Sequence, residues 1–168
     1  MHVMIDLETM GTSPNAPIVA IGACRFDENG VGDDWFYETI SLKSAIQNGA
    51  VLDPDTVVWW MGQERGARLE ITDATRELID ALDDFRIWIT KDEPDGVWGN
   101  GAGFDNMILS ETYKRNNQPA PWSYKLDRCY RTIKSLSGVE MERTGTHHNA
   151  LDDARSQANH LIAIWRAQ

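Results

Sequence analysis

Met4–Thr9 reads Met-Ile-Asp-Leu-Glu-Thr, an alternation of apolar and polar residues that is typical of a buried β-strand. Because side chains alternate along a strand, Asp6 and Glu8 point to one face, and Ile5 and Leu7 point to the other. Two neighbouring carboxylates repel each other and lose hydration, which proteins rarely tolerate unless a cation bridges them. The stretch therefore predicts a strand that carries part of a divalent-metal site.

Further acids stand beside two later helix starts. Asp105 follows the Gly-rich loop Asn100–Gly103, and Asp153 lies in the first turn of the last predicted helix, after His148. Taken alone, each acid is explained as well by the helix dipole, which favours carboxylates in a first turn. A chance occurrence of all of them in a compatible order is much less expected. Together they indicate a divalent-metal hydrolase.

The last of these motifs has two possible registers. His147 and Asp152 are separated by the same number of residues as His148 and Asp153. Both aspartates lie off the apolar stripe of the predicted helix, so helical periodicity does not choose between the two pairs.

The order of the predicted elements indicates an α/β fold with a mixed five-stranded sheet flanked by helices. Three strands joined by short turns occupy about residues 2–7, 17–26 and 35–41, and are expected to run antiparallel. Two shorter strands, near residues 96–100 and 124–126, follow helical crossovers and are expected to run parallel. Helices are predicted to begin near Pro54 and Asp73 and to cover about residues 104–116, 127–137 and 150–167.

The composition is that of a globular protein without membrane spans. Apolar residues make up 42% of the 168 residues and charged residues 25%, and no apolar run approaches the length of a spanning helix. Without a visible linker or repeat, residues 1–168 are expected to form a single domain. We find no secretion signal, and Cys24 and Cys129 lack a metal-binding spacing. A cytoplasmic protein with reduced thiols is therefore expected.

The net charge of −10 argues against a broad electrostatic grip on nucleic acid, although it permits a local one. Residues 114–134 form a basic segment whose single acid is Asp127. Within it, Arg128, Arg131 and Lys134 recur at three-residue steps. This stripe fits a solvated helix face and a phosphate-contacting face equally well.

Taken in order, the motifs resemble those of the DEDDh group of 3′–5′ exonucleases. Asp6–Glu8, Asn100–Asp105 and His148–Asp153 match the group's Asp-x-Glu, Asn-x-x-x-Phe-Asp and His-x-Ala-x-x-Asp motifs. The alanine of the third motif is Ala150 only when His148 is the histidine, so the resemblance favours His148 and Asp153. Residues 53–60 further resemble the branch that contains exonuclease VIII, phage DexA-like proteins and a short mycobacterial exoribonuclease.

The resemblance implies a ribonuclease-H-like fold and release of 5′-mononucleotides from a single-stranded RNA or DNA 3′ end. It implies that two Mg²⁺ or Mn²⁺ ions are held by four carboxylates, those of Asp6, Glu8, Asp105 and Asp153. His148 is then the general base of a two-metal mechanism. Contacts with the nucleic acid are expected from six further residues: Thr9, Met10, Trp60, Arg68, Asn100 and Phe104.

Several alternatives stay open at this point. The motifs do not distinguish RNA from DNA, and a homodimer is implied only by analogy with relatives. Adjacent helical residues diverge by about 100°, so either Trp59 or Trp60 is able to reach the cleft and stack on a base. An inactive nucleic-acid-binding module of the same fold competes with the enzyme. An acidic calcium-binding protein is favoured by the net charge alone.

Overall fold

The structure, a computed structural model, describes residues 1–146 and 148–167. Its strands are β1 (His2–Thr9), β2 (Ile18–Asp27), β3 (Gly30–Thr39), β4 (Val97–Gly99) and β5 (Asp127–Cys129). They form one sheet in the order β3-β2-β1-β4-β5. β1, β2 and β3 are paired antiparallel, whereas β1, β4 and β5 run parallel. The predicted mixed sheet is therefore confirmed.

Seven α-helices flank this sheet within the described ranges. They are α1 (Leu42–Gln47), α2 (Pro54–Met61), α3 (Arg65–Thr72), α4 (Leu78–Thr90), α5 (Asp105–Arg115), α6 (Tyr130–Leu136) and α7 (Ala150–Arg166). The predicted start of α2 is confirmed, because Asp53 accepts a hydrogen bond from the Asp55 amide at 3.1 Å and Pro54 occupies the first turn.

Several predicted boundaries are wrong. The third strand begins at Gly30 and not near residue 35, and the helix expected from residue 127 begins at Tyr130 because β5 occupies the three preceding residues. The helix expected near Asp73 begins at Leu78, because Arg76 is held in an extended bridge with Ile40. Residues 124–126, expected to form the fifth strand, are a 3₁₀ turn capped by the Ser123 hydroxyl. The fifth strand follows this turn directly, at Asp127–Cys129. The helices α1 and α3 were not predicted as separate elements.

The two faces of β1 pack against different helices. Val3 and Ile5 belong to the core formed with α4 and α5, whereas Met4 belongs to the core formed with α7. Burial of each such side chain stabilises the fold by about 1.5–3 kcal/mol. Asp6 and Glu8 follow Met4 in the alternation, so they lie on the face that α7 covers.

Gly22 allows the first turn of α7 to lie directly on the sheet. This residue of β2 pairs with Asp6 of β1. A Cβ at Gly22 would lie 2.1 Å from the carbonyl carbon of Ala150 and 2.2 Å from the Leu151 nitrogen. Glycine at this position therefore brings the start of α7, and with it Asp153, beside the acids of β1.

Candidate active site

Asp105 meets β1 where the pairing with β4 ends. The last paired residues are Ile5 and Gly99, and beyond them the Leu7 amide donates a hydrogen bond to Asp105 Oδ1 at 3.2 Å. A Cβ at Gly99 would lie 3.0 Å from Asp105 Oδ2, so this glycine leaves room for the carboxylate. The amide that Asp105 binds lies between Asp6 and Glu8 in sequence, which brings three carboxylates to one point of the sheet.

One face of α7 brings two more polar groups to the same point. Asp153 Oδ2 accepts a hydrogen bond from the His148 backbone amide at 3.1 Å. One turn later, Gln157 Nε2 donates to Asp6 Oδ1 at 2.7 Å. Glu8, His148 and Asp153 each offer a ligand atom, and these atoms lie within 4.8 Å of one another.

His148 lies in a left-handed backbone conformation, with φ of 63°. Its ring meets the ring of Trp59 edge-on, with centroids 5.0 Å apart, and lies 5.9 Å from the ring of Trp60. The next residue, Asn149, caps α7 by accepting hydrogen bonds from two amides of the first turn at 3.1 Å. The same Asn149 side chain donates to Glu70 Oε2 of α3 at 2.9 Å, which fixes the loop against a neighbouring helix.

The neighbouring aspartate, Asp152, has a different environment. Its Oδ2 accepts a hydrogen bond from the Thr146 amide at 2.7 Å, and its carboxylate lies over Gly145, whose φ is 79°. Asp152 thus closes the loop before α7, whereas Asp153 faces Glu8. The alternative register through His147 and Asp152 lies partly outside the described residues, because His147 is not among them.

Burial raises the pKa values of three carboxyl groups in this cluster, those of Asp6, Glu8 and Asp105. Burial raises the pKa of Asp6 well above its ordinary value, and repulsion from Asp105, Glu8 and Asp153 adds to the effect. The pKa of Glu8 rises to about 9, first through burial and then through repulsion from Asp153 and Asp105. Burial raises the pKa of Asp105 to about 7, although the hydrogen bond from Leu7 opposes it. Nearby positive charge therefore does not fully compensate these three carboxyl groups.

The donor set fits a hard divalent cation. Asp105 Oδ2 is buried and accepts no hydrogen bond from the residues that the structure describes. Carboxylate oxygens are the ligands that Mg²⁺ and Mn²⁺ prefer, and the grouped atoms of Glu8, His148 and Asp153 include no thiolate. A cation at this point would satisfy the orphaned oxygen and lower the raised pKa values.

The metal-free protein is expected to lose stability as the pH rises from about 5 to about 9. In this window the unfolded chain has released the Glu8 proton, whereas the folded protein still binds it, so each rise in pH favours unfolding. Thermal unfolding in EDTA across this range measures the effect, and Glu8→Gln should flatten the decline. A melting temperature that stays constant or rises with pH, equally in both proteins, would contradict this expectation.

A cleft of about 540 Å³ opens above the carboxylates. Four of the predicted contact residues line it: Thr9, Trp60, Asn100 and Phe104. Met10 and Arg68 line a neighbouring apolar groove instead, where Met10 packs against Trp60. The structure therefore brings two of the six predicted contact residues to a different surface from the cleft.

The two adjacent tryptophans differ in exposure. Trp60 is 3% exposed, and its indole N–H donates to the Thr9 carbonyl at 2.9 Å. Trp59 is 47% exposed and lines the same cleft, so it offers the accessible ring face. Trp60 thus supports the backbone of Thr9, and its expected contact with substrate stays a prediction.

Some cleft residues were not predicted from the sequence. Gln157 and Arg143 line the cleft beside the carboxylates, and Asp55 and Thr56 line it on α2. Gln157 follows Asp153 by four residues, and this helical spacing was the available signal for it. Arg143 lies in an irregular loop, where no periodicity marks a residue as facing the site.

Comparison with known proteins agrees with this geometry. The family model of the 3′–5′ exoribonuclease Rv2179c-like domain matches residues 1–165. An exodeoxyribonuclease of Enterobacteria phage T4 is 30% identical over 121 residues, which are 63% of this chain and 52% of that protein. The chain thus spans about half the length of this curated relative.

Three solved structures share the fold at low sequence identity. The nuclease domain of 3′hExo, a DEDDh family member bound to rAMP, has a TM-score of 0.68 and 14% identity, covering 98% of this chain and 91% of that one. Cell-death related nuclease 4 (CRN-4) has a TM-score of 0.59 and 16% identity, covering 98% and 63%. A full-length 3′-exonuclease has a TM-score of 0.63 and 12% identity, covering 98% and 60%.

Within the described residues, no helix has the length and apolar character needed to cross a bilayer. The matched family model covers nearly the whole chain, and the DEDDh motifs occur in it in order. The chain belongs to the 3′–5′ exoribonuclease Rv2179c-like domain family.

Proposed function

We propose that this chain is a divalent-metal-dependent 3′–5′ exonuclease that releases 5′-mononucleotides from single-stranded RNA or DNA. The observation that carries the proposal is the convergence of distant acids on the end of β1. Asp105 binds the Leu7 amide, and Asp153 lies against Glu8 and His148. Buried carboxylates from three separate segments are costly to bring together unless protons or a cation neutralise them, and this donor set fits a divalent cation.

Asp6, Glu8, Asp105 and Asp153 would hold two Mg²⁺ or Mn²⁺ ions. When bound, such ions supply electrostatic stabilisation of the phosphate charge and lower the pKa of the attacking water. The carboxylates offer enough oxygens for two ions, and the unpartnered Asp105 Oδ2 is one of them. Gln157 keeps Asp6 oriented through its hydrogen bond to Oδ1, so the site is largely preformed.

His148 would act as the general base. The ordinary pKa of an imidazole lies near neutrality, so a ring nitrogen is able to accept the proton of the attacking water. Its ring is oriented on one side by Trp59, and its backbone amide is fixed by Asp153. These two contacts point the ring toward the carboxylates, which limits the orientations that the catalytic step must select.

The walls of the cleft would bind the terminal nucleotides. Trp59 presents an exposed ring on which a base stacks, a sequence-tolerant contact worth about 1–3 kcal/mol. Asn100 and Phe104 also line this cleft. Thr9 lies beside the carboxylates, with its hydroxyl donating to the Gly11 carbonyl at 2.7 Å, so its backbone is held in place for contact with a nucleotide.

The test uses matched RNA and DNA oligonucleotides, because the family description names RNA whereas the phage relative is described as acting on DNA. We expect 5′-labelled single strands to shorten one nucleotide at a time with Mg²⁺ or Mn²⁺, and to stay intact with EDTA. A 3′-phosphate block should stop the reaction. Cleavage that persists with the block, or in chelator, would contradict the proposal, and binding without cleavage would favour an inactive module.

Three broader expectations stay predictions. A single domain over residues 1–168 is the first, and a cytoplasmic location, which the free thiols of Cys24 and Cys129 fit, is the second. A homodimer is proposed by analogy alone, and sedimentation velocity at several protein concentrations measures it.

A further inference from the structure

Arg143 is a cation that contacts the candidate metal site. Its Nη1 lies 2.7 Å from Asp153 Oδ1. The arginine side chain is 51% exposed, whereas the aspartate is 14% exposed. Among the described residues that line the cleft, Arg143 is the one lysine or arginine. Arg143 is thus paired directly with a carboxylate of the site, whereas Arg131 lowers the pKa of Asp105 as a nearby charge and donates to the Asn100 carbonyl at 2.6 Å.

The backbone that carries Arg143 is fixed to α7. On the C-terminal side of the arginine, the Thr144 amide donates to Ser156 Oγ at 3.0 Å. Farther along, the Thr146 amide donates to Asp152 Oδ2 at 2.7 Å. These contacts hold the Cα of Arg143 beside the cleft, while the long, half-exposed side chain keeps rotational freedom. The guanidinium is thus able to change partners without movement of the backbone.

Asp153 has both carboxylate oxygens engaged. Oδ1 accepts from Arg143, and Oδ2 accepts from the His148 amide. A divalent cation held by Asp153 would compete with the guanidinium, because the two cations would bind the same carboxylate and repel each other at close range. The His148 contact is an internal one of the loop, whereas the Arg143 contact is solvent-accessible and easily given up.

We propose that Arg143 pairs with Asp153 in the metal-free protein and moves to a phosphate of the nucleic acid when metal and substrate bind. Phosphates are the anions that a substrate would bring into the cleft, and a guanidinium binds them with two parallel hydrogen bonds. This inference rests on the proposed function, and it assigns a phosphate-binding role to a residue outside the three exonuclease motifs.

The exchange couples metal binding to substrate binding. In the absence of nucleic acid, a metal ion must displace the guanidinium from Asp153, so it binds more weakly than it would to the same carboxylates without Arg143. Once a phosphate accepts the guanidinium, this competition ends, and each ligand strengthens the binding of the other. The arginine thereby opposes metal loading in the absence of nucleic acid.

The test compares wild type with Arg143→Gln, which removes the charge and keeps most of the side chain. Isothermal titration calorimetry with Mn²⁺ alone should give a Kd about threefold to fivefold lower for the variant. Fluorescence anisotropy in Mg²⁺ measures the binding of single-stranded phosphorothioate RNA and DNA oligonucleotides. The variant should bind them about tenfold more weakly. The slope of log affinity against log salt should decrease by about 0.7, the value for one phosphate contact on a single strand.

Two matched variants make the result specific. Lys91→Gln removes the same charge at an exposed position at the end of α4, and both affinities should stay unchanged. Arg143→Lys keeps the charge and should restore part of the oligonucleotide affinity. Equal Mn²⁺ and oligonucleotide affinities in wild type and Arg143→Gln would overturn the proposal, as would weaker Mn²⁺ binding by the variant, which would show that the arginine only supports Asp153. Failure of wild type to degrade a 3′ end would refute the proposed function instead, since both binding measurements are independent of turnover.

Discussion

Replacing Asp105 with asparagine is expected to lower kcat by about 10³-fold or more without unfolding the protein. Asparagine has the same shape, and its oxygen is still able to accept the hydrogen bond from the Leu7 amide. The variant loses the second carboxylate oxygen, which is buried and without a described protein donor. Since burial raises the pKa of Asp105 to about 7, removal of the carboxylate should also stabilise the metal-free protein at higher pH.

Single-turnover kinetics with saturating Mg²⁺ measure this effect, together with thermal unfolding in EDTA. Asp33→Asn is the matched control, because it makes the same change at an exposed position of β3 and should leave both quantities unaltered. If Asp105→Asn kept more than about a tenth of the wild-type kcat, Asp105 would not be a metal ligand.

Gly22→Ala is expected to have the largest effect on stability among single methyl additions to the sheet. The new Cβ would meet the backbone of Ala150 and Leu151 at 2.1 and 2.2 Å, and backbone atoms cannot rotate away as a side chain does. The start of α7 must then move off β2, which we expect to lower the free energy of unfolding by about 3 kcal/mol or more. Activity should fall more steeply than stability, because Asp153 and Gln157 move with the helix away from Asp6.

Denaturant unfolding and exonuclease assays on the same preparations separate these two effects. Gly30→Ala is the control, because a Cβ there meets nothing within 4 Å. A Gly22→Ala protein with wild-type stability would show that α7 is not held in close contact with the sheet.

The part of the site that depends on local periodicity was accessible from the sequence. Alternation along β1 is a property of neighbouring residues, so it was sufficient to bring Asp6 and Glu8 to one face. The acid of a helix first turn is recognisable in the same way at Asp105. Periodicity did not show which of Asp152 and Asp153 faces the strand, because that depends on the rotation of α7 about its axis, which is set by contacts with Gly22 and the preceding loop. Only the family resemblance, through Ala150, favoured Asp153.

The remaining differences come from tertiary contacts between distant residues. The loop that carries Arg143 is held near the cleft by hydrogen bonds from the Thr144 amide to Ser156 and from the Thr146 amide to Asp152, and these contacts leave no pattern in the loop sequence itself. Trp59 and Trp60 were expected to diverge. Which of them is buried was not visible in the sequence, because the Trp60 indole N–H donates to a backbone carbonyl of β1. Arg68 was placed at the cleft by family analogy, whereas the packing of α3 turns it toward the adjacent groove.

Under the proposed function, the docking of α7 onto β1 determines when, during synthesis, the protein becomes able to degrade nucleic acid. The first acids leave the ribosome early, whereas Asp153 is synthesised about 150 residues later. During that interval the growing polypeptide has an incomplete set of ligands. A partly made or truncated product that ends before this helix is therefore expected to be harmless to the messenger that encodes it.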